Sequence, residues 1–348
     1  MKKITFGKSS ISQNGPCYFI AEIGHNHQGN LQTALKMIEV AAECGVNAVK
    51  FQKRDNKALY TRALYEKPYD NENSYGSTYG EHREFLEFGM AEYRELKKCA
   101  ESLNVEFMST AFDFQSADFL EELGITSYKL ASGDITNTEL IRYIAKFNKP
   151  MIMSTGAATL DEIRIGYEAA KSINDQICLL HCVAGYPTDY PDLNLKAIET
   201  LKQEFPGAVI GYSGHDNGIL AAVIAYMLGA TVVEKHFTLN RAWKGTDHKF
   251  SLEPEGLRKQ VRDLRRVDIA LGNSEKVLKD FEIDARKKMG KGLYAARAIE
   301  VGSLIRREDI VLKSPANDTP VYRIQECIGK RINVSLAEEA PILMDYFQ

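Results

Sequence analysis

Two histidines in the second half of the chain, His215 and His236, have the chemistry and the placement of metal ligands. Each ends one of two consecutive apolar runs, AVIGYSGH and TVVEKHF, which we predict to be neighbouring parallel strands. Imidazoles at the ends of adjacent strands can converge on one divalent cation and leave positions open for water and substrate. There is no HExxH or similar local motif, and a histidine at a strand end can also be an ordinary hydrogen-bonded side chain.

Two lysines, Lys50 and Lys129, lie in predicted strands and suit a small phosphorylated anion. Lysines neutralise the charge of such a ligand, and hydroxyl groups donate hydrogen bonds to it. Hydroxyl residues stand near the ends of predicted strands at Thr110, Ser132, Ser154 and Ser213. The alternative is that one lysine forms a Schiff base, as in barrel aldolases. Two cations with several hydroxyls favour phosphate binding.

Polar side chains of this kind end all eight of the apolar runs that we predict to be strands. Along the chain the run ends carry Glu22, Gln52, Thr110, Asp134, Thr155, His181 with Tyr186 beyond it, His215, and Glu234 with His236. Any single one of them can be a solvated strand end. Together they indicate an active site at one end of a sheet, because the catalytic residues of a parallel barrel collect at the carboxyl ends of its strands.

The elements that would position these residues alternate regularly over the first ~270 residues. Eight short, nearly continuous apolar runs alternate with amphipathic segments, which is typical of parallel strands covered by helices. In NLQTALKMIEVAAECG, Asn30 is a plausible N-cap, Leu31, Leu35, Ile38 and Ala42 form an apolar stripe, and Gly45 ends the helix. The eighth helix is predicted in EGLRKQVRDLRRVDIALG. The pattern predicts a (β/α)8 TIM barrel over residues 1–272.

Three segments depart from this alternation. Residues 53–88 are rich in Tyr, Asn, Gly and Glu, and a segment of that length is typical of a lid or binding loop. Residues 273–290 are charged and read as a linker. Residues 291–348 contain short β-like pieces and predict a small domain of marginal stability. Its basic residues have no evident partner within the tail: Arg306, Arg307, Lys313 and Arg323.

The overall composition excludes several classes of function. A formal net charge of -3 with 26% charged residues gives no electrostatic case for nucleic acid or membrane binding. No segment reaches membrane-spanning length and the N-terminus lacks an apolar targeting region, so we expect a cytoplasmic protein. The six cysteines are scattered without a CxxC pair, and we expect reduced thiols.

The motifs that end these runs resemble those of the N-acetylneuraminate (sialic acid) synthase family, and the C-terminal piece resembles that family's antifreeze-like (SAF) domain. The strings that carry the likeness are FIAEIGHNHQGN, AVKFQ, FMSTAFD, KLASGD, STGAAT, LLHCVAGYPT, IGYSGHD, EKHFTL and WKGTDHKFSLEP. They occur in order along essentially the whole chain. The resemblance implies a TIM barrel with a SAF domain, assembled as a swapped homodimer in which each SAF domain caps the partner's active site.

The resemblance also implies roles for individual residues. His215 and His236 would hold a divalent metal, most commonly Mn²⁺, with Mg²⁺ or Co²⁺ as alternatives. Phosphoenolpyruvate would be held by Lys50, Lys129, Thr110, Ser132, Ser154 and Ser213. The sugar, an N-acylmannosamine type, would be surrounded by Glu22, Gln52, Tyr186 and Asp247. These roles leave no place for a Schiff base.

The reaction implied is the attack of phosphoenolpyruvate C3 on the sugar aldehyde, which the metal polarises. Water then adds at C2, and phosphate leaves with C–O cleavage. Glu22 and Asp134 are the carboxylates expected to orient water or move protons, with the division between them open. Glu22 can equally pair with Lys50 on the neighbouring strand.

Two features of the sequence leave the identity of the sugar substrate undecided. Bacterial relatives that use free N-acetylmannosamine typically carry an arginine where this chain has Ser314, in VLKSPAND. The segment KPYDNENSYGSTYGEHREFLEF resembles the branch with the animal enzyme, which uses a 6-phosphorylated sugar. Legionaminic, pseudaminic and Kdn-type synthases share the barrel motifs. A further alternative is a Kdo- or DAHP-like synthase, against which the SAF tail argues. Another is a non-enzymatic carbohydrate-binding protein, against which the polar residues at all eight strand ends argue.

Overall fold

The computed structural model describes residues 2–347, in which a short antiparallel hairpin precedes a closed barrel of eight parallel strands. The hairpin consists of β1 (Lys3–Phe6) and β2 (Ser9–Ser12). The barrel strands are β3 (Tyr18–Gly24), β4 (Ala48–Lys53), β5 (Glu106–Ala111), β6 (Tyr128–Leu130), β7 (Met151–Ser154), β8 (Ile177–Cys182), β9 (Val209–Gly214) and β10 (Val232–His236). Each strand pairs with its neighbour in sequence, and β10 closes the barrel on β3. The TIM-barrel prediction is confirmed.

Helices lie between the barrel strands and after the last of them, as the alternating sequence pattern predicts. They are α1 (Leu31–Glu43), α2 (Asn56–Leu59), α3 (Arg62–Tyr65), α4 (Tyr79–Phe85), α5 (Met90–Ser102), α6 (Phe114–Leu123), α7 (Thr138–Ala145), α8 (Leu160–Lys171), α9 (Ala197–Glu204), α10 (Leu220–Met227) and α11 (Pro254–Leu271). Single 3₁₀ turns lie at Ser132–Asp134 and Tyr190–Asp192. No helix within residues 2–347 combines the length and the apolar character needed to cross a membrane.

Helix α1 agrees with the predicted helix at its two ends and differs from it along its buried face. Asn30 is its N-cap, because the Asn30 side chain accepts a hydrogen bond from the Thr33 amide, as predicted. Gly45 follows the helix with φ +84°, a conformation that glycine adopts without strain. The predicted apolar stripe is displaced by about one residue. The fully buried face consists of Ala34, Met37, Ile38 and Ala41, while Leu31, Leu35 and Ala42 lie at its partly buried margins.

The two ends of the barrel differ in chemistry. At the amino-terminal end the hairpin contributes Ile4, Phe6 and Ile11 to an apolar cluster with barrel-interior residues such as Ile152 and Val209. Burial of this cluster closes the bottom of the barrel and stabilises it through the hydrophobic effect. Polar side chains fill the opposite, carboxyl-terminal end. The hairpin therefore leaves the barrel open for chemistry at that end alone.

The segment predicted as a lid or binding loop is ordered by its own contacts. It contains α2, α3 and α4, and α4 begins with a capping box between Thr78 and Glu81. The Tyr75 ring stacks on Phe85, with ring centroids 4.9 Å apart. His82 is buried and its Nδ1 accepts a hydrogen bond from the Tyr75 amide. An aromatic cluster therefore takes the place of a regular core in this segment.

A second compact unit comprises Asn273–Gln348. It contains α12 (Ile283–Met289), the antiparallel pair β11 (Gly292–Ala295) and β12 (Ile310–Lys313), and α13 (Ile324–Cys327). Helix α12 falls inside the stretch predicted as a linker. The unit has its own apolar core, made by Leu293, Ala295, Ile299, Ile305, Ile310, Cys327, Ile332, Leu336 and Ile342.

The expectation that the basic residues of this unit lack partners is wrong. Arg323 pairs with Glu326 at 2.8 Å, and Lys313 pairs with Glu339. Arg307 donates to the carbonyl of Ile310, and Arg306 lies 3.8 Å from a Glu308 oxygen. Three of these partners lie within three residues in sequence, where an exposed turn brings them together, and the fold brings Glu339 to Lys313. All six cysteines are free thiols, as expected.

Candidate active site

The carboxyl-terminal end of the barrel holds a cavity of about 770 Å³. Twelve of the thirteen residues predicted to form the site line it: Glu22, Lys50, Gln52, Thr110, Lys129, Ser132, Ser154, Tyr186, Ser213, His215, His236 and Asp247. They come from seven of the eight strands or from the loops that follow strands. The structure thus brings these residues to one place, and their individual roles stay predictions.

Lys50 lies at the floor of the cavity between two carboxylates. Its ammonium is 2.5 Å from Glu22 Oε2 and 3.7 Å from Glu234 Oε1, and all three side chains are almost fully buried. Burial opposes ionisation, but Glu22 and Glu234 outweigh it and raise the pKa of Lys50. Burial raises the pKa of Glu22 against the opposing effect of Lys50. Glu22 therefore forms a salt bridge with Lys50 and also lines the cavity as a site carboxylate.

Lys129 has a different environment. Its ammonium donates to Ser154 Oγ at 2.6 Å and to the Leu130 carbonyl at 2.9 Å, while the nearest carboxylate, Glu234, is 4.0 Å away. Burial lowers the pKa of Lys129 despite the opposing effect of Glu234. Because Ser154 accepts from this ammonium, the Ser154 hydroxyl hydrogen stays free to donate to a ligand. Thr110 accepts from Lys50 at 3.0 Å and is left free in the same way.

The predicted residue set omitted Glu234, although the sequence contained a signal for it. Glu234 and His236 are two residues apart in β10, so both side chains point to the same side of the strand, toward the barrel interior. Ser213 Oγ donates to Glu234 Oε1 at 3.1 Å. Burial acts to raise the pKa of Glu234, but Lys129 and Lys50 outweigh this effect and lower that pKa. Two lysines and two glutamates therefore balance each other at the floor.

The two histidines face each other across β9 and β10, with ring centroids 5.4 Å apart. His215 Nδ1 lies 3.0 Å from the Val183 carbonyl, which fixes Nδ1 as the protonated nitrogen and leaves Nε2 with a free lone pair. Burial and the neighbouring His236 lower the pKa of His215 to about 4, and burial lowers the pKa of His236. Both imidazoles are thus neutral near pH 7, the state that binds metals.

The buried Nδ1 of His236 has no hydrogen-bond partner among residues 2–347, and the Asp247 carboxylate is 3.8 Å from it. Unpaired imidazole nitrogen of this kind fits a cation or an ordered water. No group of three or more His, Cys, Asp or Glu side chains in the described part of the chain is arranged to hold a metal. A cation at this place would therefore have the two histidines as its protein ligands.

Tyr186 and Asp247 lie on loops above the histidines. The Tyr186 ring contacts the His215 ring, with centroids 4.2 Å apart, yet the side chain stays half exposed to the cavity. Asp247 accepts from the Thr246 hydroxyl at 2.9 Å. Ser132 accepts from the Gly156 amide at 3.0 Å, which leaves its own hydroxyl hydrogen free. These side chains have the polar capacity to contact a polyol.

Asp134 is the predicted residue that does not line the cavity. It lies in the 3₁₀ turn after β6, and Asn137 Nδ2 donates to its Oδ1 at 3.3 Å. Burial raises the pKa of Asp134 to about 6. Of the two predicted carboxylates, Glu22 is therefore the one that faces the cavity.

Two arginines that were not among the predicted site residues also line the cavity. Arg54 follows β4, and Arg83 belongs to α4. Gln52 connects Arg54 to the floor, because its amide donates to Glu22 Oε1 at 2.6 Å and accepts from Arg54 at 2.7 Å. Arg83 lies in KPYDNENSYGSTYGEHREFLEF, but the likeness of that segment to the branch with the animal enzyme singled out no individual residue. Both arginines are placed by the irregular segment that follows β4.

Comparison with known proteins gives consistent matches over nearly the whole chain. The NeuB family matches residues 37–276, and the SAF domain matches residues 290–348. The N-acetylneuraminate-9-phosphate synthase of Homo sapiens is 39% identical over 329 residues, covering 94% of this chain and 92% of that protein. The N,N'-diacetyllegionaminic acid synthase of Legionella pneumophila is 36% identical and covers 95% of each chain.

Solved structures agree with these matches. The N-acetylneuraminic acid (sialic acid) synthetase of Leptospira borgpetersenii, crystallised with citrate, is 34% identical with a TM-score of 0.71, covering 82% of this chain and 95% of that one. The spore coat polysaccharide biosynthesis protein SpsE of Bacillus subtilis is 28% identical with a TM-score of 0.68, covering 99% of both chains. The chain therefore belongs to the NeuB family and ends in a SAF domain.

Proposed function

We propose that this protein condenses phosphoenolpyruvate with an open-chain N-acylmannosamine-type sugar, free or 6-phosphorylated, and releases a nonulosonic acid and phosphate. As a NeuB-family member it is a phosphoenolpyruvate-dependent synthase of the sialic acid type. The observation that carries the finer proposal is one cavity that joins a lysine–hydroxyl floor to a pair of neutral histidines and a buried carboxylate.

The floor supports binding of phosphoenolpyruvate. Lys50 and Lys129 supply positive charge, while the free hydroxyl hydrogens of Thr110 and Ser154 supply directional donors. Burial excludes water from these contacts, which strengthens each of them. Ser132 and Ser213 lie beside them in the same cavity and complete the proposed phosphate cradle.

We propose that His215 and His236 hold a divalent cation, most simply Mn²⁺, with Mg²⁺ or Co²⁺ as alternatives. Their neutral imidazoles and the unpartnered nitrogen of His236 support this assignment. A cation held there would polarise the sugar aldehyde as a Lewis acid. Asp247 and Tyr186, which adjoin the histidines, would orient the sugar hydroxyls.

In the proposed reaction C3 of phosphoenolpyruvate bonds to the aldehyde carbon, and the aldehyde oxygen gains a proton. Water adds to C2 and loses a proton, and the tetrahedral product then expels phosphate by breaking the C2–O bond. Glu22 is the carboxylate proposed to orient this water, because it faces the cavity and is held by Lys50 and Gln52. Asp134 does not line the cavity, so it would affect the reaction only by positioning Ser132, which lies in the same 3₁₀ turn.

The relatives named as legionaminic and pseudaminic acid synthases motivate a second candidate product of the same reaction class. A substrate panel separates the candidates: phosphoenolpyruvate with free or 6-phosphorylated N-acetylmannosamine, mannose, or diacetamido sugars. We expect turnover with an N-acylmannosamine-type sugar, measured as phosphate release and product mass. Turnover restricted to diacetamido sugars would instead assign a legionaminic- or pseudaminic-type acid.

We also propose that the active enzyme is a homodimer in which the SAF domain of one subunit covers the barrel of its partner. Arg323 and Lys313 of the SAF domain are engaged by Glu326 and Glu339, which disfavours them as replacements for the arginine that bacterial relatives carry at position 314. Lys291 is the better candidate, because its ammonium lies 2.6 Å from Ser314 Oγ.

Mixing two inactive chains tests the swap. A chain that lacks residues 286–348 would supply an intact barrel, and full-length His236→Ala would supply the tail. Recovery of activity on mixing is expected. Verified subunit exchange without recovery would show that the tail does not act in trans.

A further inference from the structure

Two arginines, Arg54 and Arg83, carry positive charge in the cavity wall. Arg54 is 7% exposed and Arg83 is partly buried. Within residues 2–347, neither guanidinium forms a salt bridge with an Asp or Glu side chain. Charged groups are seldom buried without a counter-charge, because the loss of hydration is costly. Such a pair at a cavity wall therefore points to an anionic ligand.

The contacts that hold the two guanidinium groups are all neutral. Arg54 stacks on the Phe112 ring, 3.6 Å from Cζ to the ring centroid, and donates to the Gln52 side chain. Arg83 donates from Nε and Nη2 to the Tyr79 hydroxyl, at 3.1 and 3.0 Å. The His25 ring lies between them, 3.2 Å from Arg54 and 3.3 Å from Arg83.

His25 adds no charge of either sign. Burial, Arg54 and Arg83 together hold the pKa of His25 well below its usual value, so its imidazole is neutral. The carboxylates of Glu87 and Asp247 act on Arg54 and Arg83 from beyond 4 Å. Glu87 also lies 3.8 Å from His25 and forms a salt bridge with Lys53 at 3.0 Å. Counted with Lys53, three cations here face the two carboxylates of Glu87 and Asp247, so the cluster keeps a net positive charge.

This charge is separate from that of the cavity floor. At the floor Lys50 and Lys129 are balanced by Glu22 and Glu234, as described above. Lys249 also lines the cavity, but its ammonium pairs with Glu72 and its side chain is 70% exposed. Arg54 and Arg83 therefore form a second group of cavity cations, which lacks the direct carboxylate contacts of the floor lysines within residues 2–347.

We propose that Arg54 and Arg83 form a second anion subsite, which binds a phosphate group carried by the sugar at the end remote from its aldehyde. The proposal rests on the proposed function and narrows its substrate to phosphorylated sugars. A neutral sugar would leave both guanidinium groups without a direct anionic contact, whereas a phosphate monoester carries nearly two negative charges. Guanidinium groups also match phosphate oxygens in geometry, through paired N–H donors.

The placement of the subsite relative to the floor supports this assignment. Gln52 spans from Glu22 to Arg54, so the guanidinium lies one side chain away from the carboxylate at the reacting end. A six-carbon chain with its aldehyde near Glu22 and the histidines can extend along this direction. The phosphate of phosphoenolpyruvate has its own lysine and hydroxyl donors at the floor.

Steady-state kinetics of Arg83→Gln test the proposal, with Arg83→Lys as the conservative variant. Arg62→Gln is the matched control, because Arg62 lies in the same segment, is exposed and does not line the cavity. Each protein is assayed with phosphoenolpyruvate and either N-acetylmannosamine or its 6-phosphate. We expect Arg83→Gln to lower kcat/KM for the phosphorylated sugar by about 10- to 100-fold. Arg83→Lys should lose less.

Arg83→Gln should change kcat/KM for the free sugar and KM for phosphoenolpyruvate by less than about threefold. The control Arg62→Gln should change these constants by less than about threefold for every substrate. A wild-type enzyme with equal kcat/KM for the free and the phosphorylated sugar would overturn the subsite and leave the proposed function intact. A rise in KM for phosphoenolpyruvate in Arg83→Gln would assign the arginines to that substrate instead. No turnover of either sugar would remove both proposals.

Discussion

The charge balance at the cavity floor predicts that the two lysines differ in their contribution to stability. Lys50→Met removes the partner of Glu22, whose carboxylate is 1% exposed and lies 2.5 Å from the Lys50 ammonium. The glutamate is then left buried with only the Gln52 amide as a donor. Breaking a buried ion pair in this way costs about 3–5 kcal/mol.

Lys129→Met should cost much less. No carboxylate depends on Lys129 alone, because Glu234 keeps its contacts with Lys50 at 3.7 Å and with the Ser213 hydroxyl. In a domain of this size 1 kcal/mol shifts Tm by about 2 °C. We therefore expect Tm to fall by roughly 6–10 °C in Lys50→Met and by less than about 4 °C in Lys129→Met.

The assay is thermal unfolding followed by circular dichroism, without phosphoenolpyruvate or metal, since a bound ligand would itself change the charge balance. Glu22→Gln combined with Lys50→Met removes both charges, so the double variant should be more stable than Lys50→Met alone. Equal losses in the two lysine variants would refute this account of the floor. So would a double variant that is less stable than Lys50→Met.

Three further predictions concern the metal, the pH dependence of stability and the covalent alternative. Chelator should abolish turnover and Mn²⁺ should restore it, while His215→Ala and His236→Ala should each be inactive yet keep the wild-type far-UV spectrum; full activity in excess EDTA would contradict the metal role. Burial lowers the pKa of His27 to about 3 in the folded protein. As the pH falls below 6.5, the unfolded chain therefore binds a proton at this histidine that the folded chain does not bind. The free energy of unfolding then decreases. His27→Phe should lose about 2–3 kcal/mol less between pH 6.5 and 4.5 in urea titrations, and parallel pH profiles would exclude this origin. Borohydride reduction during turnover should trap no pyruvyl adduct on Lys129 in a peptide mass map, and a trapped adduct would restore the Schiff-base mechanism.

Sequence alone predicted the barrel and most of its lining because both follow from simple periodicity. Eight buried parallel strands read as nearly continuous apolar runs, and the polar residue that ends each run must lie at the same end of the barrel. His215, Lys50 and Ser154 were found in this way. Glu234 was within reach of the same argument, since it shares a strand face with His236.

The remaining parts depend on long-range contacts that no local pattern records. Arg54 and Arg83 meet at His25 only because the segment between β4 and α5 folds back over the barrel end. Asp134 looked equivalent to the other strand-end residues, but a 3₁₀ turn directs it out of the cavity lining. The ion pair between Lys313 and Glu339 likewise joins residues far apart in sequence.

The central claim is that one cavity joins phosphoenolpyruvate to an N-acylmannosamine-type sugar. The most direct test incubates the purified full-length chain with Mn²⁺, phosphoenolpyruvate labelled with ¹⁸O in its bridging oxygen, and N-acetylmannosamine or its 6-phosphate. We expect one phosphate per molecule of a nine-carbon acid, with the label in the phosphate because the C2–O bond breaks. No nine-carbon product, or a product that retains the bridging label, would contradict the account.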